Sequence, residues 1–383
     1  MNKNMFGAIA TLVGAIIGAG VLGIPYVFAK SGVLLGLINL IVIGLVILVM
    51  VLMLGEVTLR TRKSHMLPKL AEIFLGKKGK ALVFVAMFAG VWGAMIAYLI
   101  GVGESLAAIS GLTTIFGLSA NLVFSLLFFL TASALVYFGL RAVTRGEIIL
   151  ASGTVLIILV LCLWGLFKVN FSNLTTLSWK NIFLPYGVVL FAIMGSTAIP
   201  ELRRILDDNK RKIKTAITIG ILTPLALYAL FSIIVVGVTG VATTEIATIG
   251  LGNSLGVTAI LLGNLFAILA MASSYVILGL ALKDSLTDGI RGVKHWHAFL
   301  LTVCVPLVVF LLGVKSFIGV VGLTGAIAGG IEGILIALMW RAARKKGNRK
   351  PDYAIKYGAI SYVLIGVFML GIVYTLLSVS GVL

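Results

Sequence analysis

From Gly14 to Pro25 the chain reads Gly-Ala-Ile-Ile-Gly-Ala-Gly-Val-Leu-Gly-Ile-Pro, with four glycines and a proline inside an apolar run from about Phe6 to Ala29. Each glycine in a helix interior costs about 1 kcal/mol against alanine, and an interior proline about 3. The run is still long enough for a bilayer, which takes about 20 residues. A membrane-crossing helix unwound in its middle reconciles the two facts. Free carbonyls and amides at such a break must face protein, water or a ligand, because lipid satisfies none of them. Broken helices of this kind hold small ligands and ions near the midplane. Gly18, Gly20 and Gly23 also spell GxGxxG. A dinucleotide fingerprint needs a preceding strand, a soluble helix and an acid about 20 residues on. Here the flanks are apolar and the next acid is Glu56, so that reading is set aside.

Composition agrees with a polytopic membrane protein: 61% of the 383 residues are hydrophobic, 11% are charged, and the mean hydropathy is +1.20. A net charge of +18 would suggest nucleic acid in a soluble protein. Here it is read as the excess of Lys and Arg that marks cytoplasmic loops. The N-terminal Met-Asn-Lys-Asn runs straight into a span with no small-residue cleavage site, so no cleavable signal is expected. Cys162 and Cys304 lie in apolar runs and imply neither a disulfide nor a metal site.

Eleven spans are read, roughly 6–29, 33–55, 81–107, 121–140, 147–168, 182–202, 213–238, 255–282, 297–314, 317–340 and 357–380. With the N-terminus inside, Lys3 and five connections carry nearly all the positive charge. These hold Arg60 to Lys80, Arg141 and Arg145, Arg203 to Lys214, Lys283 to Lys294, and Arg341 to Lys356. Only Lys30, Lys168, Lys180 and Lys315 are left outside, and the C-terminus is external. Leu67, Leu70, Ala71, Phe74 and Leu75 recur at helical spacing and predict a short amphipathic helix on the inner surface. The stretch from Val241 to Ser254 is external, either a plain loop or a segment folded back over an entrance.

The sixth span repeats the break of the first. Gly20-Val21-Leu22-Gly23-Ile24-Pro25 and Gly195-Ser196-Thr197-Ala198-Ile199-Pro200 share the spacing from glycine to Ile-Pro. Five spans separate them, an odd number, so they cross the membrane in opposite directions. That is the sign of an inverted repeat. The expected organisation is an all-α integral membrane protein with a first repeat over 1–168, a second over 182–340, and an added eleventh helix within 357–383.

These features resemble the amino acid/polyamine/organocation transporter superfamily with its LeuT-type fold, and most of all the amino acid/auxin permease branch with the bacterial hydroxy and aromatic amino acid permeases. The resemblance is carried by Gly18 to Tyr26, by Phe191 to Gly195 with Pro200-Glu201, and by Phe266 to Asp284 in the eighth span. In the last stretch Ser273 stands where the bacterial permeases have threonine, and Lys283 interrupts the end. The resemblance implies secondary active import of an amino acid by alternating access, in the cell membrane, with no enzymatic activity and no cofactor beyond a coupling ion. The expected partners are the amino acid and the lipid bilayer, without nucleic acid, and the chain is expected to act as a monomer.

An α-amino acid carries one carboxylate and one ammonium. Half-helix N-termini suit the first and free carbonyls at half-helix C-termini the second. The resemblance puts the carboxylate on the amides of Ala19 and Gly20, and the ammonium on carbonyls of Ile16 and of Phe191 through Ile193 to Met194, beside Gly195. No charged residue lies in either break, which fits a neutral, apolar or aromatic substrate. Its side chain is expected among Phe191, Met194, Leu278 and a third-span residue, Trp92, Tyr98 or Met95. The resemblance further implies sodium between the first and eighth spans, on carbonyls of Gly14, Ile17 and Ala270 and hydroxyls of Ser273 and Ser274. Oxygen-only ligation suits a hard cation. Some relatives replace this ion with a fifth-span lysine, and none lies between Glu147 and Lys168. Proton coupling is the alternative.

Glu332 is an intramembrane acid, a functional candidate on that ground alone. It is expected to lie away from both breaks and to relay protons or hold a gate, or else to pair structurally. Glu56 and Glu104 sit near span ends and are expected at the interface. Gly252-Asn253-Ser254-Leu255-Gly256 spells a nucleophile elbow, but His65, His295 and His297 are all placed on the opposite side, so no triad is reachable. A passive channel would need a continuous lined pore and fits two broken helices less well.

Overall fold

The computed structural model describes residues 3–139, 142–289 and 294–380. The expected cytoplasmic charges Arg141 and Arg291 fall outside these, and the side chains of Lys3 and Arg145 lie outside the description too. In chain order the helices are α1 (Lys3–Ile16), α2 (Ile24–Ser31), α3 (Val33–Leu59), α4 (Leu67–Ser110), α5 (Ala120–Phe138), α6 (Ala142–Leu166), α7 (Pro185–Ile193), α8 (Ile199–Ile205) and α9 (Ile213–Thr239). They continue with α10 (Ala247–Leu255), α11 (Val257–Gly289), α12 (His295–Leu311), α13 (Phe317–Thr324), α14 (Gly330–Lys346) and α15 (Ile360–Val379). A two-residue hairpin, β1 (Thr114–Ile115) with antiparallel β2 (Leu118–Ser119), is the only sheet among the described residues.

Among the described residues, eight helical segments are long and apolar enough to cross a membrane, and nine if α1 and α2, bent by 52° at their break, form one span. Two further apolar helices, Ser152–Leu166 and His295–Leu311, are shorter. On α3, Leu34, Ile38, Ile41 and Leu45 are exposed at helical spacing. A stripe of large aliphatic side chains facing outward is what a lipid belt requires. Inside, α1 and α2 pack on α9, α4 packs on α11, α5 and α14, and α7 packs on α13 and α3.

The amphipathic helix before the third span is present as the first part of α4, kinked from the rest at Gly76, whose φ is +78°. Leu67, Leu70, Ala71 and Phe74 are buried, so its apolar face packs against protein. The stretch after α9 is no plain loop. It forms α10, which packs on α11 and α9, while Glu245 accepts from the Ile318 amide at 2.9 Å and the Ser316 hydroxyl at 3.0 Å. That ties the segment to the first turn of α13. The serine of the elbow-like motif, Ser254, donates to the Gly250 carbonyl of its own helix at 3.2 Å.

Three charges differ from their expected places. Lys283 lies within α11 and is buried, with Nζ donating to the Val136 carbonyl in the last turn of α5 at 2.7 Å. A cation there complements the negative end of a helix. Arg203 lies in α8 and is also buried. Its guanidinium donates to the Thr61 hydroxyl at 2.9 Å, to the carbonyls of Thr61, Arg62 and Lys63 at 2.8–3.1 Å, and to the Thr58 carbonyl. The long side chains reach protein carbonyls, which counting loop charges does not detect. Glu56, expected near a span end, is fully buried within the protein. One oxygen accepts from Arg60 at 2.6 and 2.9 Å, the other from the Trp340 indole and the Ile355 amide, both at 2.8 Å. Glu104 is half-buried on α4.

Removing one partner of a buried, hydrogen-bonded charge leaves the others unpaired. Glu56→Ala is therefore expected to destabilise the protein by on the order of 3 kcal/mol. This would be read as a lower unfolding midpoint in detergent; an unchanged midpoint would contradict the role given to Glu56.

Candidate functional site

The first break begins where the Ile17 amide makes the last α-helical bond, to the Val13 carbonyl at 2.8 Å. Gly18 is extended (φ −139°, ψ −153°), and Ala19–Leu22 form a 3-10 turn. The amides of Ala19 and Gly20 open that turn and so have no acceptor within it. Helix α2 then starts with Pro25 in its first turn, where a missing N–H costs nothing. The second break has the same construction. Helix α7 ends at Ile193, Met194 is extended (ψ +112°), Ser196–Ala198 form a 3-10 turn, and α8 starts with Pro200 in its first turn.

The two breaks touch each other reciprocally. A Cβ on Gly20 would stand 2.7 Å from Ala192 Cα, and one on Gly195 would stand 2.7 Å from Ile16 Cγ1. A side chain at Gly20 would push the spans apart, and one at Gly195 would displace the side chain of Ile16. The fully buried Tyr228 of α9 completes the junction. Its hydroxyl lies 2.9 Å from the Ile16 carbonyl and 3.2 Å from the Ala192 carbonyl. It has one proton to donate and two orphan carbonyls to serve.

Around this junction lies a cavity of about 310 Å³. Ligand pockets run from roughly 300 to 1,000 Å³, so it suits a single small molecule. Gly14, Ile16, Ile17, Ala19, Gly20, Tyr98, Phe191, Met194, Ala270, Ser273, Ser274, Leu278 and Glu332, all singled out from the sequence, line it together. The Tyr98 hydroxyl hydrogen-bonds Ser274, and the Ser273 hydroxyl donates to the Ala270 carbonyl at 3.0 Å. A Cβ on Gly18 would lie 3.8 Å from Ser274 Oγ, so the first break and α11 approach closely here. Among the described residues no group of His, Cys, Asp and Glu could hold a transition metal.

The profile of the tryptophan/tyrosine permease family matches residues 1–378. The chain belongs to that family. The permease is 25% identical to the tyrosine-specific transport system 1 of Haemophilus influenzae, covering 98% of this chain and 96% of that protein. It is 24% identical to glutamine transporter 2 of Aliivibrio fischeri, covering 85% of this chain and 86% of that one. Among solved structures, that of MhsT in complex with L-phenylalanine superposes with a TM-score of 0.69 at 15% identity, over 99% of this chain and 98% of the other. The LeuT-type fold expected from the sequence is thereby shown. The protein is a multi-pass amino acid transporter, not an enzyme.

Four residues of the expected site sit differently in the permease. Trp92 does not line the cavity. The residues of α4 that do, Met87, Val91, Ala94 and Tyr98, follow one another at helical spacing, and Trp92 falls on another face, stacked on Phe88 at 5.8 Å. Ile193 turns its side chain into the α7 packing, and Gly195 packs on Leu12 and Ile16, so what they offer the break is backbone. Glu332 is not remote from the breaks, since its carboxylate accepts a hydrogen bond from Ser196, the residue after Gly195. A π-helical turn, Gly325–Gly329, brings it there, and Gly325, Ala328 and Gly329 of that turn line the cavity. Sequence reasoning missed this wall and Tyr228. The glycines from Gly322 to Gly333 were the available sign of the wall; nothing distinguished Tyr228 from other aromatics.

The junction yields two expectations. Gly20→Ala should abolish substrate binding, because even one methyl meets the Ala192 backbone. Tyr228→Phe leaves two buried carbonyls without their donor and should lower affinity about tenfold, equivalent to ~1.4 kcal/mol. Equilibrium binding in detergent checks both; wild-type affinity in either variant would contradict the geometry.

Proposed function

We propose that this permease imports neutral L-amino acids with apolar or aromatic side chains by alternating access, driven by a sodium gradient. The observation that supports it is the meeting of two helix breaks on one cavity, with free amides on one wall and orphan carbonyls on the other. The substrate carboxylate would take the amides of Ala19 and Gly20. Its ammonium would take the carbonyls of Ile16 and of Phe191 to Met194. The Ile16 carbonyl keeps a second lone pair beside its bond to Tyr228. The side chain would lie against Phe191, Met194 and Leu278, with Tyr98 offering a hydroxyl. No Lys, Arg or His lines the cavity among the described residues, which disfavours an acidic side chain. The names of the relatives, a tyrosine transporter and a glutamine transporter, agree with a neutral substrate.

Sodium would bind between the first break and α11, on the carbonyls of Gly14, Ile17 and Ala270 and the hydroxyls of Ser273 and Ser274. All five residues line the same cavity, and their oxygens suit a hard cation. The ion would tie the first span to the eighth, so sodium and substrate should each tighten the other by the same factor.

The proposed topology is eleven spans in a cell membrane, a 5+5 inverted repeat and an added α15, with the N-terminus cytoplasmic and the C-terminus external. In that orientation the cavity runs from the breaks toward the cytoplasm, past Met87 of α4, Leu278 of α11 and Glu332 of α14. On the other side the chain closes over it: a Cβ on Gly23 would stand 2.7 Å from Ile318 Cδ1 and 3.4 Å from Phe317 Cε1. The conformation is thus read as cytoplasm-facing.

Uptake of a panel of labelled amino acids into proteoliposomes, with and without a sodium gradient, tests the reading. Saturable, sodium-stimulated uptake of aromatic or aliphatic amino acids is expected, and the Ser273→Ala/Ser274→Ala double variant should need about tenfold more sodium. Lysine or glutamate as best substrate would contradict the substrate assignment, and a flux that never saturates would favour a channel. Accumulation driven by protons alone in sodium-free buffer, indifferent to the double variant, would overturn sodium coupling.

A further inference from the structure

Glu332 is the only carboxyl-bearing side chain lining the cavity among the described residues. Its described partner is the neutral hydroxyl of Ser196, and no ion pair to it occurs among the described residues. The elements packed against α14 supply no compensating cation near it. From α15 come only Tyr362 and Tyr374. From α3 comes Glu56, already saturated by Arg60 and Trp340. The lysines of α4 run from Lys69 to Lys80, before the part of that helix that reaches the cavity, and Tyr98 is its one titratable group facing the same space. An unpaired carboxylate in such surroundings is costly, and it is relieved by a donated hydrogen bond or by a proton.

The position of Glu332 makes that choice depend on conformation. It follows the π-helical turn of the tenth span, and its partner Ser196 belongs to the break of the sixth. Single-turn π segments cluster at functional sites, and broken helices are the elements that rearrange when access alternates. A cytoplasmic carboxylate network such as that of Glu56 has no such partner on a break.

We propose that Glu332 carries a proton through the transport cycle, as a second coupled ion beside sodium. In the conformation described, the Ser196 hydroxyl donates to the Glu332 carboxylate and favours its charged form, and the cavity gives the proton a way out toward the cytoplasm. When the sixth span moves and the Ser196 contact opens, the carboxylate loses that donor and takes a proton from the opposite side. One O–H bond forms and later breaks at the same carboxyl oxygen, and no other bond changes. The inference rests on the cytoplasm-facing reading above.

The test uses the full-length protein in proteoliposomes with a pH dye inside, unlabelled L-tyrosine added outside, and sodium present on both sides. Wild type is expected to acidify the lumen as L-tyrosine enters. Glu332→Gln should lose that acidification and the pH dependence of net uptake, with net uptake falling further than counterflow exchange. Glu332→Asp, which keeps the carboxyl one methylene away from Ser196, should keep proton movement with a displaced pH profile, and Ser196→Ala should displace the profile too. If Glu332→Gln does not fold, the two displaced profiles carry the test, and wild-type profiles in both would overturn the proposal. Proton movement persisting in Glu332→Gln would also overturn it. So would wild-type counterflow of L-tyrosine with no proton movement, an outcome that leaves the transporter reading intact; absence of wild-type counterflow would instead strike at the transporter reading itself.

Discussion

A single buried hydroxyl, that of Tyr228, serves the exposed carbonyl ends of both interrupted helices. The constraint behind it is general. A helix that stops in the middle of a membrane bares backbone groups that lipid does not hydrogen-bond. This chain answers by butting the two breaks against each other, Gly20 on the Ala192 backbone and Gly195 on the Ile16 side chain, and threading one tyrosine between them. The carbonyl and amide groups left over then have only the cavity to face. A site for a small zwitterion is therefore a consequence of how the fold resolves its own unsatisfied backbone, with charged side chains absent from both breaks.

The remaining polar interactions keep the surrounding scaffold from following the breaks. Glu56 joins the end of α3 to α14 and to the segment before α15, and Arg203 fastens α8 to the turn after α3 through carbonyls. On the far side Glu245 ties α10's leading segment to α13. Each is buried or half-buried and well supplied with partners, as buried charges must be. Between them lie the elements with the least regular backbone: the two breaks and the π-helical turn of the tenth span. Irregular backbone thus lines the cavity, with long helices packed around it.

Much of this was legible in the sequence, for physical reasons. Glycine and proline at matched spacing carry a cost that only a break explains, so Gly20 and Gly195 marked the junction before any coordinates. Ser273 and Ser274 stood out only through the family resemblance, because hydroxyls in membrane helices commonly bond a carbonyl or pack a neighbouring helix. Trp92 was not legible, because choosing by residue type ignored the 100° turn per residue that sends it to another face of α4. The buried ends of Lys283 and Arg203 were hidden because loop-charge counting records where a Cα falls and not how far a long side chain reaches. The wall made by Gly325 to Gly329 left only its run of glycines in the sequence, and glycines alone do not mark a π-helical turn. Tyr228 was invisible because its partners are backbone carbonyls contributed by two distant segments.

A structure of the permease with L-tyrosine bound tests the central claim most directly. The account predicts the carboxylate within hydrogen-bond distance of the Ala19 and Gly20 amides, the ammonium on the Ile16 and span-six carbonyls, and the ring against Phe191 and Leu278. Density for the ligand away from the two breaks, or with carboxylate and ammonium exchanged, would contradict it.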